Sequence, residues 1–513
     1  MATPEFEAQK ETAPVSSPEP LISDALSDAK SSSKSLKTGS WVSSTYFAEG
    51  FPYAIVNNLA EVLFKDLGAS LGAIGLTSLF HLPWNIKFLW AHWLDTYETK
   101  RRWMIVLQII LGLLLLLLSM GADSSYSLGL ISCIFLALAF FSATNDIAID
   151  GFYMEALQER EQALFVGFRA FCYRLASSLV KGPLIILIGF VGWRWGLASA
   201  AGLMFCLAAM HAALLPTREK RQRHLTEGLQ KIFSRRLALR LVLLALGAFA
   251  YLSPWGVKWR TNFVESLSQV PIVGSWGASN WIAVLLLLAL LVATSQLKRL
   301  AAWARGSESE LGRSTVALLE LPHFKRVLAF IILFRTGESF LQKMKLPFLA
   351  EVYGVSNQEY GAINGFGGVV AAMVATFWGG WMISRYGLKR CLWPFVLAQN
   401  LFNLLYLPLA LAAGHLTHAL WWIGGVIAVE EFGAGLGTAV FMVYLMRACD
   451  PRHKAAHFAL FSALMSLSFT FAGAFSGFIA EAIGFAGYFG FTVLATVPMM
   501  LLAARVPHLE ERP

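Results

Sequence analysis

Charge is what this chain has least of. Asp, Glu, Lys and Arg make up only 14% of its 513 residues, where a soluble domain carries about 25%. Hydrophobic residues reach 57% and the mean hydropathy is +0.58, which excludes a soluble globular protein and implies a polytopic membrane protein. Cysteine is scarce as well. Cys133, Cys172, Cys206, Cys391 and Cys449 are scattered, with no C-x-x-C and no His/Cys spacing suited to a metal, so neither a disulfide framework nor a zinc site is expected. Residues 1–40 lack the apolar stretch of about 7 to 15 residues that a secretory signal needs. Their Ser, Pro, Glu, Ala and Lys content fits a disordered tail. The glycine sets Gly365-Phe-Gly-Gly368 and Gly433-Ala-Gly-Leu-Gly437 lack the strand and the Lys-Ser/Thr of a phosphate loop, which leaves close helix packing as their role. No nucleophile, metal-ligand or oxyanion-donor cluster stands out, so an enzyme is not expected.

What the chain does have is a ladder of apolar runs near the ~20 residues that a membrane helix needs. Six lie around 41–64, 71–92, 103–122, 127–149, 163–190 and 195–215. Two follow near 237–256 and 277–297, and six more near 326–350, 360–383, 391–413, 419–446, 456–482 and 486–504. The expected fold is an all-α polytopic membrane protein of about fourteen spans, two six-helix halves with two extra helices between them. The chain then divides into a tail (1–40), a first half (41–215), a basic linker (216–236), a helix pair (237–297), a second linker (298–325), a second half (326–505) and a short tail (506–513).

The net charge of +9 reports topology rather than a nucleic-acid partner, because Lys and Arg cluster in alternate short connections. Lys100 to Arg102, the segment from Arg218 to Arg236, Lys298 to Arg326, Arg385 to Arg390, and Arg452 with Lys454 fall on one side. By the positive-inside rule that side is cytoplasmic, and so are both termini. Trp41, Trp193, Trp195, Trp276, Trp281, Trp421 and Trp422 near run ends suit interfacial anchoring.

The pattern of 74–103 also returns. Trp93-Leu-Asp95 through Lys100-Arg101-Arg102 reappears as Gly379-Gly-Trp-Met-Ile-Ser-Arg385 through Lys389-Arg390, at an offset of about 288 residues. A duplicated half is how many transporters are built, so a chain that moves a solute is expected.

Ionisable residues inside the apolar runs are costly, by at least about 2.5 to 3.5 kcal/mol each, and mark function. Asp146 and Asp150 are four apart and share a helix face, a pair suited to proton uptake, although Asp150 could instead pair with neighbouring basic turns. Glu430 and Glu431 lie about 100° apart on their helix, so one should be structural and bonded to a neighbour. Arg335 and Glu338 are three apart and can pair locally. Glu49 precedes Arg335 by about 286 residues, which places the two at equivalent positions and makes a central contact reasonable. Arg169 and Arg174 could bind a carboxylate or neutralise Asp146, Asp150 or Glu155. Lys87 is expected to snorkel, His81 to be a lone core histidine, and His457 to be interfacial.

Taken as a set, Ile74-Gly75, Lys87-Phe-Leu-Trp90, Asp95, Arg101-Arg-Trp103, Asn145-Asp146-Ile-Ala-Ile-Asp150, Tyr173-Arg-Leu175, Gly337-Glu338, Gly361 with Asn364, Glu430 with Gly435-Leu-Gly-Thr438, and Phe458-Ala-Leu460 with Gly477 and Glu481 resemble the AmpG-type permeases of the major facilitator superfamily. That resemblance implies a proton-driven importer in the inner membrane, which carries muropeptides for cell-wall recycling. Siderophore or acyl-coenzyme A carriage is the alternative within the same branch, and a non-transporting receptor or scaffold lies outside it. With the motifs that carry it, the candidates for proton coupling are Asp146, Glu430, Glu338 and Asp150, and those for the solute are Arg174 and Asn145 from the motifs, with Arg335, Glu49 and Arg169 from their charge and spacing. Asp95, Arg101 and Arg102, with Arg385, Lys389 and Arg390, resemble the superfamily's cytoplasmic gate, weaker in the second copy where Ser384 replaces the acid. A proton gradient but no cofactor, a small-molecule solute, a surrounding bilayer and a monomer complete the expectation.

Overall fold

The computed structural model describes residues 38–216 and 319–507 apart from short breaks at 88–89, 92, 95–96, 123–125, 158, 413–419 and 450–453, together with isolated positions between 299 and 317. The expected helix pair at 237–297, the linker 216–236 beyond its first residue, nearly all of the tail 1–40, and Asp95 lie outside the described residues.

Helices account for nearly everything described, as a bilayer requires when no water is available to satisfy backbone groups. The passes are span 1 (38–66), span 2 (71–94), span 3 (Lys100–Gly121), span 4 (Leu128–Ala156), span 5 (159–191) and span 6 (193–214) in the first half. The second half holds span 7 (324–353), span 8 (Asn357–Tyr386), span 9 (Leu388–Leu411), span 10 (Leu420–Ala448), span 11 (454–483) and span 12 (485–503). Ser70, Thr99 and Ser127 cap spans 2, 3 and 4 by accepting backbone N–H groups, and Ser356 with Glu359 forms a capping box on span 8. Spans 5 and 6 fold back at Gly192 (φ 80°), and spans 11 and 12 meet at Gly484 (φ 68°), positions where only glycine is unstrained.

Contacts between spans fix the two ends. Trp41 packs edge-on against Phe152 at 5.2 Å, Gly151 sits against the Lys100 side chain, and Arg101 donates to the Ala212 carbonyl, so these residues share the basic end. At the opposite end Trp193 and Asn357 both donate to Asp66, and the Gly72 amide donates to Glu481 across 2.8 Å.

The halves are seamed at that opposite end by glycine. A Cβ at Gly75 would meet the backbone of Gly473 and Gly477 at 3.0 Å, and one at Gly182 would meet Gly361 and Gly365 at 3.3 Å. Spans 2 and 11, and spans 5 and 8, therefore approach backbone to backbone. The apolar core follows the same division. One cluster joins both halves, running from Phe51, Leu59 and Ile74 to Met344, Phe348, Tyr406 and Tyr488. Toward the basic end it splits in two, one cluster drawn from 41–215 and one from 321–506. Leu113, Phe190, Phe377 and Leu494 project outward, apolar and exposed, as lipid-facing residues must.

Local distortions cluster where the halves face each other. Ile55–Leu59 in span 1, Val180–Leu184 in span 5 and Gly361–Gly368 in span 8 are π-helical, and Thr77–His81 in span 2 is 3₁₀. Such segments redirect side chains within a helix and recur at functional sites.

Candidate functional site

Two buried ionic clusters face the interior, one in each half. In the first, Lys87 of span 2 ion-pairs with Asp146 of span 4, and the Glu49 carboxyl of span 1 lies against Asp146. One turn along span 4, Asp150 accepts from the Tyr46 hydroxyl at 2.8 Å and from Arg169 at 2.9 Å. The Arg169 guanidinium lies 4.5 Å from the centroid of the Tyr46 ring, a cation–π contact that fixes it in place. Asn145 donates to the Ala48 carbonyl at 3.2 Å, tying span 4 to span 1.

The second cluster is built around Lys345 of span 7, which is fully buried. Its ammonium contacts Glu430 at 2.6 Å and Glu431 at 2.9 Å. Gln342 donates to both carboxylates at 3.0 and 3.2 Å, while Asn364 and Tyr406 complete the shell. Nearby, Arg335 donates to Thr438 and stands 3.7 Å from Glu338, which accepts from Gln399 at 2.9 Å. Between the halves, Lys343 meets Glu61 of span 1 at 3.4 Å and donates to Thr77 of span 2 at 2.6 Å.

Two halves of six spans, seamed at one end and carrying buried charge at mid-membrane, form the layout of a transporter built from repeats. The sequence model described as "Major Facilitator Superfamily" matches residues 42–316 and 328–513, nearly the whole chain. This chain belongs to the Major Facilitator Superfamily. It is 26% identical over 481 residues to an uncharacterized protein of Haemophilus influenzae, covering 91% of this chain and 94% of that protein. It is 24% identical over 464 residues to the anhydromuropeptide permease of Escherichia coli strain K12, covering 89% and 77% respectively. Among solved structures, a peptide transporter of the POT family with sulfate bound matches with a TM-score of 0.61 at 14% identity, over 92% of this chain and 95% of that one. A bacterial homologue of the lysosomal transporter Spinster, captured inward-facing, matches at 0.56 and 13%, over 91% and 95%. These two likenesses speak to the fold. The chain is thus a multi-pass membrane transporter of this superfamily, not an enzyme, and it is similar to AmpG-type permeases.

Within this superfamily member the expected residues fall as follows. Asp146 and Asp150 do share a face and one cluster, and the partner of Asp150 is Arg169 within the membrane. Lys87 does not snorkel, because Asp146 offers its ammonium a closer partner than the interface does. Glu430 and Glu431 were expected to part company. They converge instead, since the long side chain of Lys345 reaches the gap between positions 100° apart. Glu49 turns to Asp146 rather than meeting Arg335, whose hydrogen bond goes to Thr438. His81 shares a hydrogen bond with Asn57 at 2.9 Å and stacks on Trp84. The described gate residues, Arg101, Arg102, Arg385, Lys389 and Arg390, stand at the basic end, away from both clusters. Arg102 pairs with Glu98 at 2.7 Å, Arg385 lies beside Trp381 and Tyr386, and Lys389 and Arg390 are exposed.

Sequence reading overlooked Lys343, Lys345, Glu61 and Gln342. The signal was available in Gln342-Lys-Met-Lys345, two lysines in the middle of the run 326–350, and the rule that flagged the carboxylates applies equally to cations.

Proposed function

We propose that this transporter is a proton-coupled importer of an anionic solute, specifically of anhydromuropeptides for cell-wall recycling. The observation that carries the coupling is the charge arrangement of the two clusters. The first sets Asp146, Asp150 and Glu49 against Lys87 and Arg169, and the second sets Glu430 and Glu431 against Lys345. Each cluster therefore holds one carboxylate more than its cations. An uncompensated charge in low dielectric is strongly disfavoured, so each cluster is poised to take up one proton whenever no other cation balances its extra carboxylate. A proton on Glu49 or Asp146 lets the two carboxyls share a hydrogen bond, and one on Glu430 or Glu431 leaves Lys345 with a single counter-ion.

An anionic solute makes the same demand. Its entry adds negative charge to the buried interior, and proton uptake by the clusters offsets it. Arg335 and Arg174, close enough to feel each other's charge, supply positive groups from opposite halves. The substrate class rests on the similarity to the permease of Escherichia coli. In this reading the proton gradient is the energy source without any cofactor. The basic end faces the cytoplasm by the positive-inside rule, and the glycine-seamed end faces the periplasm.

The test separates coupling from binding. Proteoliposomes with an imposed proton gradient are offered labelled anhydromuropeptide, a siderophore and an acyl-coenzyme A. Accumulation of the muropeptide is expected, and accumulation of another member instead reassigns the solute. Asp146→Asn and Glu430→Gln should lose gradient-driven accumulation but keep solute exchange. Accumulation by both variants at the wild-type rate removes these clusters from the coupling.

A further inference from the structure

Five of the interior cations have a carboxylate of their own. Lys87 faces Asp146, Arg169 faces Asp150, Arg335 faces Glu338, Lys343 faces Glu61, and Lys345 faces Glu430. Two cations do not. Among the described residues, Arg174 and Lys181 of span 5 have no carboxylate within ion-pair distance. Both are half-buried. Arg174 feels the charge of Arg335 in span 7, while Lys181 feels the charges of Glu61, Glu338 and Glu431 in spans 1, 7 and 10. An unpaired cation inside a membrane protein is costly and calls for a ligand.

Their spacing describes that ligand. Residues seven apart return to the same helix face, and a rise of about 1.5 Å per residue separates them by about 10 Å along the axis. Lys181 also lies in the π-helical segment Val180–Leu184, at the seam where its carbonyl sits beside Gly365 of span 8. We propose that Arg174 and Lys181 form a two-point anion site, which selects solutes carrying two carboxylates about 10 Å apart. Arg174, with Arg335 of span 7, takes one carboxylate, and Lys181 takes the other beside the glycine seam. Lys181 is the residue that distinguishes a multiply ionised solute from a singly ionised one. This inference rests on reading the interior as an anion pathway and deepens it by naming the second contact.

Charge balance gives the site a consequence for coupling. The two cations without carboxylates match in number the two excess carboxylates, Glu49 and Glu431. A doubly anionic solute that pairs with the cations leaves those carboxylates uncompensated, and two protons restore neutrality. Lys181 thereby links solute charge to proton number.

The experiment measures equilibrium binding of an anhydromuramyl tripeptide, and of the same compound amidated at all but one carboxylate, to the full-length protein in nanodiscs. The wild type should prefer the multiply ionised ligand by about tenfold or more, the scale of a charge-assisted hydrogen bond. Lys181→Gln should erase the preference and leave binding of the amidated ligand unchanged, and Lys181→Arg should restore it. A Lys181→Gln variant that keeps the preference, or that weakens both ligands equally while keeping the wild-type gel-filtration profile, overturns the site. Should the wild type bind neither compound, the muropeptide reading falls by itself. The two-point site is then judged on nonanedioate against its monomethyl ester, where a preference lost in Lys181→Gln supports it and the absence of any preference overturns it.

Discussion

Lys345 holds two glutamates that would otherwise repel, and its removal shows what a buried counter-ion does. Lys345→Ala leaves two carboxylates buried without a cation, a loss of about 3 to 5 kcal/mol, so a sharp fall in melting temperature in detergent is expected. Combining Lys345→Met with Glu430→Gln and Glu431→Gln removes the charge from both sides and should recover most of that stability. Proton-coupled uptake should stay lost. Recovery of uptake along with stability would make the cluster a structural tie. The same residue marks the limit of what the sequence made legible. Asp146 and Glu430 stood out because carboxylates are rare in apolar runs, and both lie at cluster centres. Lys87 invites a snorkelling interpretation because its stem can run along lipid, and nothing in its spacing reveals Asp146, 59 residues away.

At the level of elements, span 7 stands out because Lys343 and Lys345 point in opposite directions. Residues two apart on a helix diverge by about 200°, so Lys343 ties span 7 to Glu61 and Thr77 of the first half, while Lys345 ties it to span 10 of its own half. Opening the seamed end must break the Lys343–Glu61 pair. With both groups nearly buried, at 3% and 12% side-chain exposure, Glu61→Gln leaves a buried lysine without its partner and should favour the open arrangement. Double electron–electron resonance between spin labels at Asp66 and Asn357 should show a longer distance population in Glu61→Gln than in the wild type. An unchanged distribution would mean that the glycine seams and the other contacts of this end, such as Gly72 to Glu481, hold it without the pair. A bulkier residue at Gly182, whose Cβ would press on Gly361 and Gly365 backbone, should act in the same direction. The seams were foreseen only as close packing, because glycine spacing names a tight helix contact without naming the partner helix.

For the whole molecule, the duplication and the two sets of six apolar runs were legible because bilayer thickness imposes a run length and repeats carry a fixed offset. How the halves meet was not, since it depends on contacts such as Gly72 to Glu481 between residues far apart in the chain. The orientation remains a prediction of the charge pattern. In a cysteine-free background, Ser127→Cys at the seamed end should react with an impermeant thiol reagent applied outside intact cells, and Lys389→Cys at the basic end should not. The reverse labelling would invert the proposed direction of transport.

If excess carboxylates bind protons when an anionic solute enters, the solute itself must drive proton movement. Wild-type proteoliposomes with no pH gradient and a trapped pH indicator receive anhydromuropeptide outside. Inward solute flux should acidify the lumen, and an uncoupler should collapse that acidification. Glu49→Gln combined with Glu431→Gln should move solute without a pH change. Solute entry into wild-type vesicles at a constant internal pH would rule out this coupling.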